Sequence, residues 1–116
     1  MTDYFSALRL SRQKARDSAV TLLQEAMAYG NAEDAAQSSD QLEQIVQTAL
    51  CEAQIESLVV AKGYTDCVAY MSEKGISVAV SAPEGGLQDQ DVAVISDIVM
   101  TQSSLKMSQI WVVEVK

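Results

Sequence analysis

The sequence predicts an α+β fold, a two-layer sandwich with helices packed on one face of a three-stranded sheet, in the order α-β-β-α-β. Three observations support this prediction. Apolar residues keep a helical spacing up to Gly63, their period changes to two between residues 67 and 81, and a second helical period then precedes a β-branched final segment. A long additional helix precedes these elements.

The first element is a helix from Asp3 to Tyr29, in which apolar residues recur every three or four positions before Gly30 ends the helix. Its stretch from Arg9 to Arg16 contains almost no large apolar side chain. We therefore expect the first half of this helix to project as a stalk, while its last turns dock on the body. This interpretation divides the chain into an N-terminal helix of residues 1–30 and an α+β domain in residues 31–116.

The second helix spans Ala32 to Lys62, a segment without Gly or Pro, and Gly63 supplies the left-handed residue that commonly ends a helix. A β-hairpin follows, because the apolar period is two on both sides of the turn-forming segment from Ser72 to Gly75. One face of each strand is predicted to pack beneath the helices. The residues predicted to point away from the helices are Val68, Tyr70, Ser77 and Ala79.

A third helix is predicted from Gln88 or Asp89, after a loop that contains the only proline of the chain. The last strand, Gln109 to Val115, is so rich in β-branched residues that both of its faces look apolar. One face fits against the helices, and the other needs cover from neighbouring elements or from a partner. The crossover into this strand should be right-handed if it runs parallel to the second strand.

The net charge of −8 is unevenly distributed along the chain. The first 30 residues contain four basic and three acidic side chains, whereas the remainder contains four lysines and 13 acidic side chains. Because phosphate binding requires a concentrated basic surface, the acidic body argues against a nucleic-acid partner. The basic cluster of Arg9, Arg12 and Arg16 is interpreted as a solvated helix face, with a role in partner contacts as the alternative.

Residue types for catalysis or metal binding are scarce in this sequence. The chain has no His, which removes the commonest general base and metal ligand. Cys51 and Cys67 lack a zinc-site spacing, and the predicted helix and strand hold them too far apart for a disulfide. We predict that both are buried apolar residues, and that the protein is not an enzyme and has no cofactor or metal. No apolar run reaches the roughly 18–20 residues of a membrane span, and no signal peptide is recognisable after Met1.

The segment Ile55–Asp66, IESLVVAKGYTD, followed by a β-hairpin, resembles the C-terminal domain of the stage III sporulation protein AH family. It is similar, more distantly, to the ring-building motif of type III secretion and flagellar basal-body ring proteins. The resemblance in element order extends from about Asp3 to Lys116. It implies a ring-building fold in which the last strand lies between the other two.

The resemblance also implies a function. The expected protein is an oligomerising component of a membrane-associated ring or transenvelope channel between mother cell and forespore, pairing with a forespore membrane protein like stage II sporulation protein Q. A membrane-spanning helix before this domain is implied, so that the domain lies in the intermembrane space around the forespore. The alternative is a small-ligand-binding or regulatory α+β domain, which a thermal-shift screen with metabolites would reveal.

Contacts with other copies or with the forespore partner are predicted on the sheet face opposite the helices and at the sheet edge, because exposed strand edges pair readily with other chains. This surface comprises Val68, Tyr70, Ser77 and Ala79, together with the helix that bears Val92. The alternative is that Val68 and Tyr70 are isolated surface apolar residues. The domain alone is expected to associate weakly, because membrane tethering would raise its local concentration.

Overall fold

The computed structural model describes residues 3–72 and 74–115, which form three α-helices, a short 3₁₀ helix and one three-stranded sheet. The order of the elements agrees with the sequence prediction. In chain order they are α1 (Asp3–Tyr29), α2 (Ala32–Ala61), β1 (Cys67–Ser72), β2 (Gly75–Ser81), α3 (Asp89–Gln102), the 3₁₀ helix (Met107–Gln109) and β3 (Ile110–Val115).

Helices α1 and α2 form an antiparallel hairpin whose connection is only two residues long. The position of Gly30 has no space for a side chain, because a Cβ atom there would lie 2.5 Å from the Ala26 carbonyl oxygen. Asn31 begins α2, and its side-chain oxygen accepts a hydrogen bond of 2.8 Å from the Asp34 amide. This bond satisfies one of the unpaired N–H groups of the first turn, so Asn31 is the N-cap of α2.

The strand order is β1-β2-β3, with β1 and β2 antiparallel and β2 and β3 parallel. The expectation that the last strand lies between the other two was therefore wrong. Ser72 of β1 pairs directly with Gly75 of β2, so this tight hairpin leaves no space for a strand between its arms. β3 returns from α3 to the far side of β2 and forms an edge of the sheet.

Helices α2 and α3 cover one face of the sheet and enclose the core. The helices contribute Ile55, Val59, Ile95, Ile98 and Val99, and the strands contribute Cys67, Ala69, Ile76, Val78 and Val80, all of them buried. Removing one such aliphatic side chain from water contributes about 1.5–3 kcal/mol, so this interface is the principal apolar stabilisation of the sheet. The strand face predicted to point toward the helices is the one observed there.

Candidate interaction surfaces

Carboxylates close the edge of β1 that faces away from β2. They accept hydrogen bonds from every second backbone amide of the strand, so they take the place of the carbonyl groups of a neighbouring strand. Asp66 accepts from the Cys67 amide, Glu56 from the Ala69 amide and Glu52 from the Met71 amide, each at 2.8 Å. Unpaired strand edges invite association with other chains, and this edge is satisfied within the chain.

Arginines of α1 complete the closure of this edge. Arg12 donates to Glu56 at 2.7 Å and to the Ala69 carbonyl oxygen at 2.6 Å. Arg9 pairs with Asp66, and it also donates to the Cys67 carbonyl oxygen at 3.3 Å. The same two guanidinium groups thus neutralise carboxylates and satisfy the carbonyl groups of β1. We call this arrangement of arginines and carboxylates the β1 charge ladder.

Glu52 is the most deeply buried member of the ladder. Its side chain is 2% exposed, and it accepts a hydrogen bond of 2.7 Å from Arg16, with Arg12 at 3.6 Å. A buried carboxylate is tolerated only when charge and hydrogen-bond partners replace its lost water. Arg16, Arg12 and the Met71 amide together supply those partners.

The ladder corrects two expectations about the first helix. The half of α1 that contains Arg9, Arg12 and Arg16 is docked on α2 and β1 rather than projecting as a stalk. Its arginines are engaged in ion pairs within the chain, and Arg12 and Arg16 are largely shielded from water, so this is not a solvated face. The segment from Arg9 to Arg16 has few apolar residues because it contacts α2 and β1 through polar and charged side chains. The division of the chain at residue 30 stays a prediction.

The ion pair with Arg9 also determines how the Asp66 carboxyl titrates. The hydrogen bond from Arg9 is the main cause that lowers the pKa of Asp66, and the Cys67 amide adds to it. Because the unfolded carboxyl has a pKa of about 3.9, the stability contributed by this pair is present above that pH. The contribution is lost as the pH falls through the lowered pKa of the folded state.

The sheet face opposite α2 and α3 carries the four hairpin residues that the sequence placed there. Ser77 is exposed and Tyr70 is half-buried, as an accessible surface requires. Val68 and Ala79 also lie on this face, but they are only 1% and 3% exposed. The expectation that these two residues form part of an accessible surface was therefore wrong. The four hairpin residues line a cleft of about 230 Å³ on this face. Tyr4 and Leu8 of α1 and Val113 of β3 complete its lining. The docking of α1 brings Tyr4 and Leu8 beside these strands, which periodicity within the hairpin cannot indicate.

Strand β3 presents the second edge of the sheet. Within residues 3–72 and 74–115, β3 pairs with β2 and with no further strand. Ile110 and Val112 pack against the core. Because side chains alternate along a strand, the other apolar face of β3 points outward. On that face Trp111 is 46% exposed, and Val113 is also exposed. An unpaired edge beside an exposed indole is a typical protein-docking surface.

A hydrogen bond between Tyr64 and Asp91 ties the end of α2 to the start of α3. The Tyr64 hydroxyl donates to Asp91 Oδ1 at 2.5 Å, and the Gln88 amide donates to Asp91 Oδ2 at 2.8 Å. Burial, followed by this hydrogen bond, raises the pKa of Tyr64 to about 12. The hydrogen bond from Tyr64 is also the main cause that lowers the pKa of Asp91.

This contact predicts an unusual alkaline titration. Stability contributed by the protonated Tyr64 phenol is present below the unfolded pKa of about 10 and is lost as the pH rises through about 12. Absorbance at the phenolate band should therefore show a component that titrates near pH 12. That component should be missing from Tyr64→Phe; its persistence in this variant would assign it to another tyrosine.

The cysteines and acidic residues do not form a metal site in the part of the chain that the structure describes. Cys51 is a half-buried free thiol and Cys67 a buried one. Burial is the main cause that raises the pKa of the Cys67 thiol to about 12. A thiol with so high a pKa is a poor nucleophile at neutral pH. No helix among the described residues is long and apolar enough to span a membrane.

A two-layer α+β fold with one closed and one open sheet edge, and with an exposed indole at the open edge, defines an interaction module for other proteins. Comparisons with known proteins identify the particular family. The family model for SpoIIIAH-like protein matches residues 1–112. The chain belongs to the SpoIIIAH-like family, as the segment Ile55–Asp66 indicated.

The solved structures with a similar fold include the following two. A chain from the SpoIIQ–SpoIIIAH pore-forming complex superposes with a TM-score of 0.82 at 18% identity, covering 97% of both chains. The type III secretion protein EscJ of enteropathogenic E. coli superposes with a TM-score of 0.57 at 25% identity, covering 65% of this chain and 50% of EscJ. No curated protein matches the sequence significantly. The ring-building fold is confirmed. The SpoIIIAH-like family is a family of structural sporulation proteins that is not known for enzymatic activity.

Proposed function

We propose that this protein is a component of a transenvelope channel between mother cell and forespore, in which it pairs with a SpoIIQ-like forespore membrane protein. Membership of the SpoIIIAH-like family supports this role, as does the fold that the chain shares with a protein of the SpoIIQ–SpoIIIAH complex. In this role the domain lies in the intermembrane space and is held at the mother-cell membrane. The alternative of a small-ligand-binding domain is not adopted, because no family finding supports it.

The observation that carries the proposal is the open edge of β3. A strand of the partner can add to this edge through backbone hydrogen bonds, as extended segments commonly do at exposed sheet edges. Trp111 would give the contact a large apolar anchor, and exposed Val113 extends the same face. Tyr70 and Ser77 lie further along this face and are proposed to extend the contact surface.

Ring formation with other copies is a further part of the proposal. A closed ring requires two different faces of one copy to meet, so self-association must use two faces other than the β3 edge that the partner strand would occupy. Each of these contacts can be weak, because attachment to a membrane raises the effective concentration of the domain. The domain alone is accordingly proposed to be mainly monomeric at micromolar concentration.

Trp111→Ala tests the proposed docking surface. Truncation of a central tryptophan typically costs 2 kcal/mol or more, so we expect at least about 30-fold weaker binding to the extracytoplasmic domain of a SpoIIQ-like partner. The indole is half exposed, so the thermal midpoint should change little. Calorimetry or surface plasmon resonance at fixed salt measures the affinity, and sedimentation measures association of the domain without partner.

Tyr29→Ala is the matched control. Tyr29 is an exposed aromatic residue at the hairpin turn, so its truncation should leave partner affinity within about twofold of the wild type. Unchanged affinity in Trp111→Ala would exclude the β3 edge as the docking site. Failure of the wild-type domain to bind the partner would argue against the pairing itself.

A further inference from the structure

The distal hairpin, which we define as residues 17–50 of α1 and α2, carries an apolar groove that the body does not cover. The groove has a volume of about 510 Å³ and is lined by Ala19, Leu22, Leu23, Gln41, Gln44 and Ile45. Leu22 is 66% exposed, although it lies on the apolar stripe of α1. An exposed leucine beside a groove is suited to contact an apolar side chain of a partner.

The charge of this region has a single sign. Residues 17–50 contain six acidic residues and no Lys or Arg. Glu25 lies one turn after Leu22 on α1, and Asp40 lies one turn before Gln44 on α2, so both sit next to groove-lining positions. The apolar groove is therefore bordered by carboxylates on both helices.

The distal acids differ from those of the β1 charge ladder in having no arginine partner. Glu52 and Glu56 are neutralised by Arg12 and Arg16. None of the ion pairs found among residues 3–72 and 74–115 involves Glu25 or Asp40. A cation brought by another molecule would be attracted to these carboxylates.

A second copy of this chain is poorly suited to supply that cation. Each copy has a net charge of −8, and Arg9, Arg12 and Arg16 are already used within the chain. Two acidic hairpins in contact would repel each other. The occupant therefore needs the opposite charge together with an apolar stripe.

We propose that the groove of the distal hairpin binds a basic amphipathic helix of another protein. Leucine-like side chains of that helix enter the groove beside Leu22 and Ile45, and its Lys or Arg residues face Glu25 and Asp40. Helix-in-groove docking with apolar anchors one turn apart is a common mode of peptide recognition. This surface is separate from the β3 edge, so it allows the protein to contact a second partner while the first remains bound.

A model peptide provides the test. The probe is a fluorescein-labelled helix of about 18 residues, built from leucine at helical spacing and lysine at the other positions, and its affinity for the full chain is measured by anisotropy. We expect binding that weakens with added salt. Leu22→Ala should weaken it by about tenfold, because the variant loses most of a buried leucine contact without loss of helix propensity.

Leu10→Ala is the matched control, since Leu10 is an exposed leucine of the same helix outside the groove, and it should bind like the wild type. A second control peptide carries glutamate in place of lysine and should not bind. Absence of lysine-peptide binding, equal affinity of Leu22→Ala and wild type, or equal binding of the glutamate peptide would each overturn the proposal. Self-association that is lost in Leu22→Ala would instead assign the groove to a second copy.

Discussion

Glu52→Ala is expected to lower the free energy of unfolding by about 3 kcal/mol or more, because removal of one partner from a buried ion pair typically costs 3–5 kcal/mol. The substitution leaves Arg16 without its carboxylate and the Met71 amide without an acceptor. We place the effect toward the lower end of that range because Arg16 keeps partial access to water. Urea unfolding followed by Trp111 fluorescence and circular dichroism measures the change.

Glu43→Ala provides the control on the same helix. Glu43 is exposed, so its replacement should change the free energy of unfolding by no more than about 0.5 kcal/mol. Equal effects of the two substitutions would show that the β1 charge ladder contributes little to stability. A loss confined to Glu52→Ala would show that the buried carboxylate, through its bonds to Arg16 and to the Met71 amide, stabilises the fold.

Gly75→Ala is expected to destabilise the sheet by about 3 kcal/mol or more. Gly75 has a φ of +149°, a conformation that costs a residue with a side chain of order 1–3 kcal/mol. An added Cβ atom would also lie 2.1 Å from the Gln109 carbonyl oxygen, which belongs to the backbone and cannot rotate away. The start of β3 would therefore have to move away from β2, with loss of hydrogen bonds between the two strands.

Gly63→Ala separates these two causes. Gly63 has a φ of +114°, but an added Cβ atom there meets no atom within 4 Å. Its substitution should cost only the backbone strain, of order 1–3 kcal/mol. Denaturant unfolding of both variants should therefore give a clearly larger loss for Gly75→Ala. Equal losses would mean that β3 accommodates the side chain without displacement.

Local pattern was sufficient to predict the elements. The predicted bounds of α1 match the structure, and those of α2 and β3 differ by one residue each. These boundaries depend on interactions between near neighbours, such as the Asn31 cap and the glycine stop at Gly63. The apolar period likewise identified the strand face that packs on α2 and α3, because nearly every residue of the hairpin on that face is apolar and buried.

The interaction surfaces were predicted less well, because their accessibility depends on contacts between distant segments. Val68 and Ala79 were placed on the correct face, but they are buried in a region that α1 also borders. Trp111 was recognised as part of a two-faced apolar strand, yet its position at an open edge depends on the strand order. The interaction roles of Tyr70 and Ser77 stay predictions.

Periodicity and capping thus account for the helices, the hairpin and the inward apolar faces, since each of these depends on residues within one or two turns of one another. The docking of α1, the order of the strands and the state of the two sheet edges are set by tertiary contacts. Arg12 meets Glu56 across 44 positions of sequence and the Ala69 carbonyl across 57. Such pairings depend on how α1 crosses β1, and a pattern of charges along one helix does not specify which distant carboxylate or carbonyl group each arginine will meet.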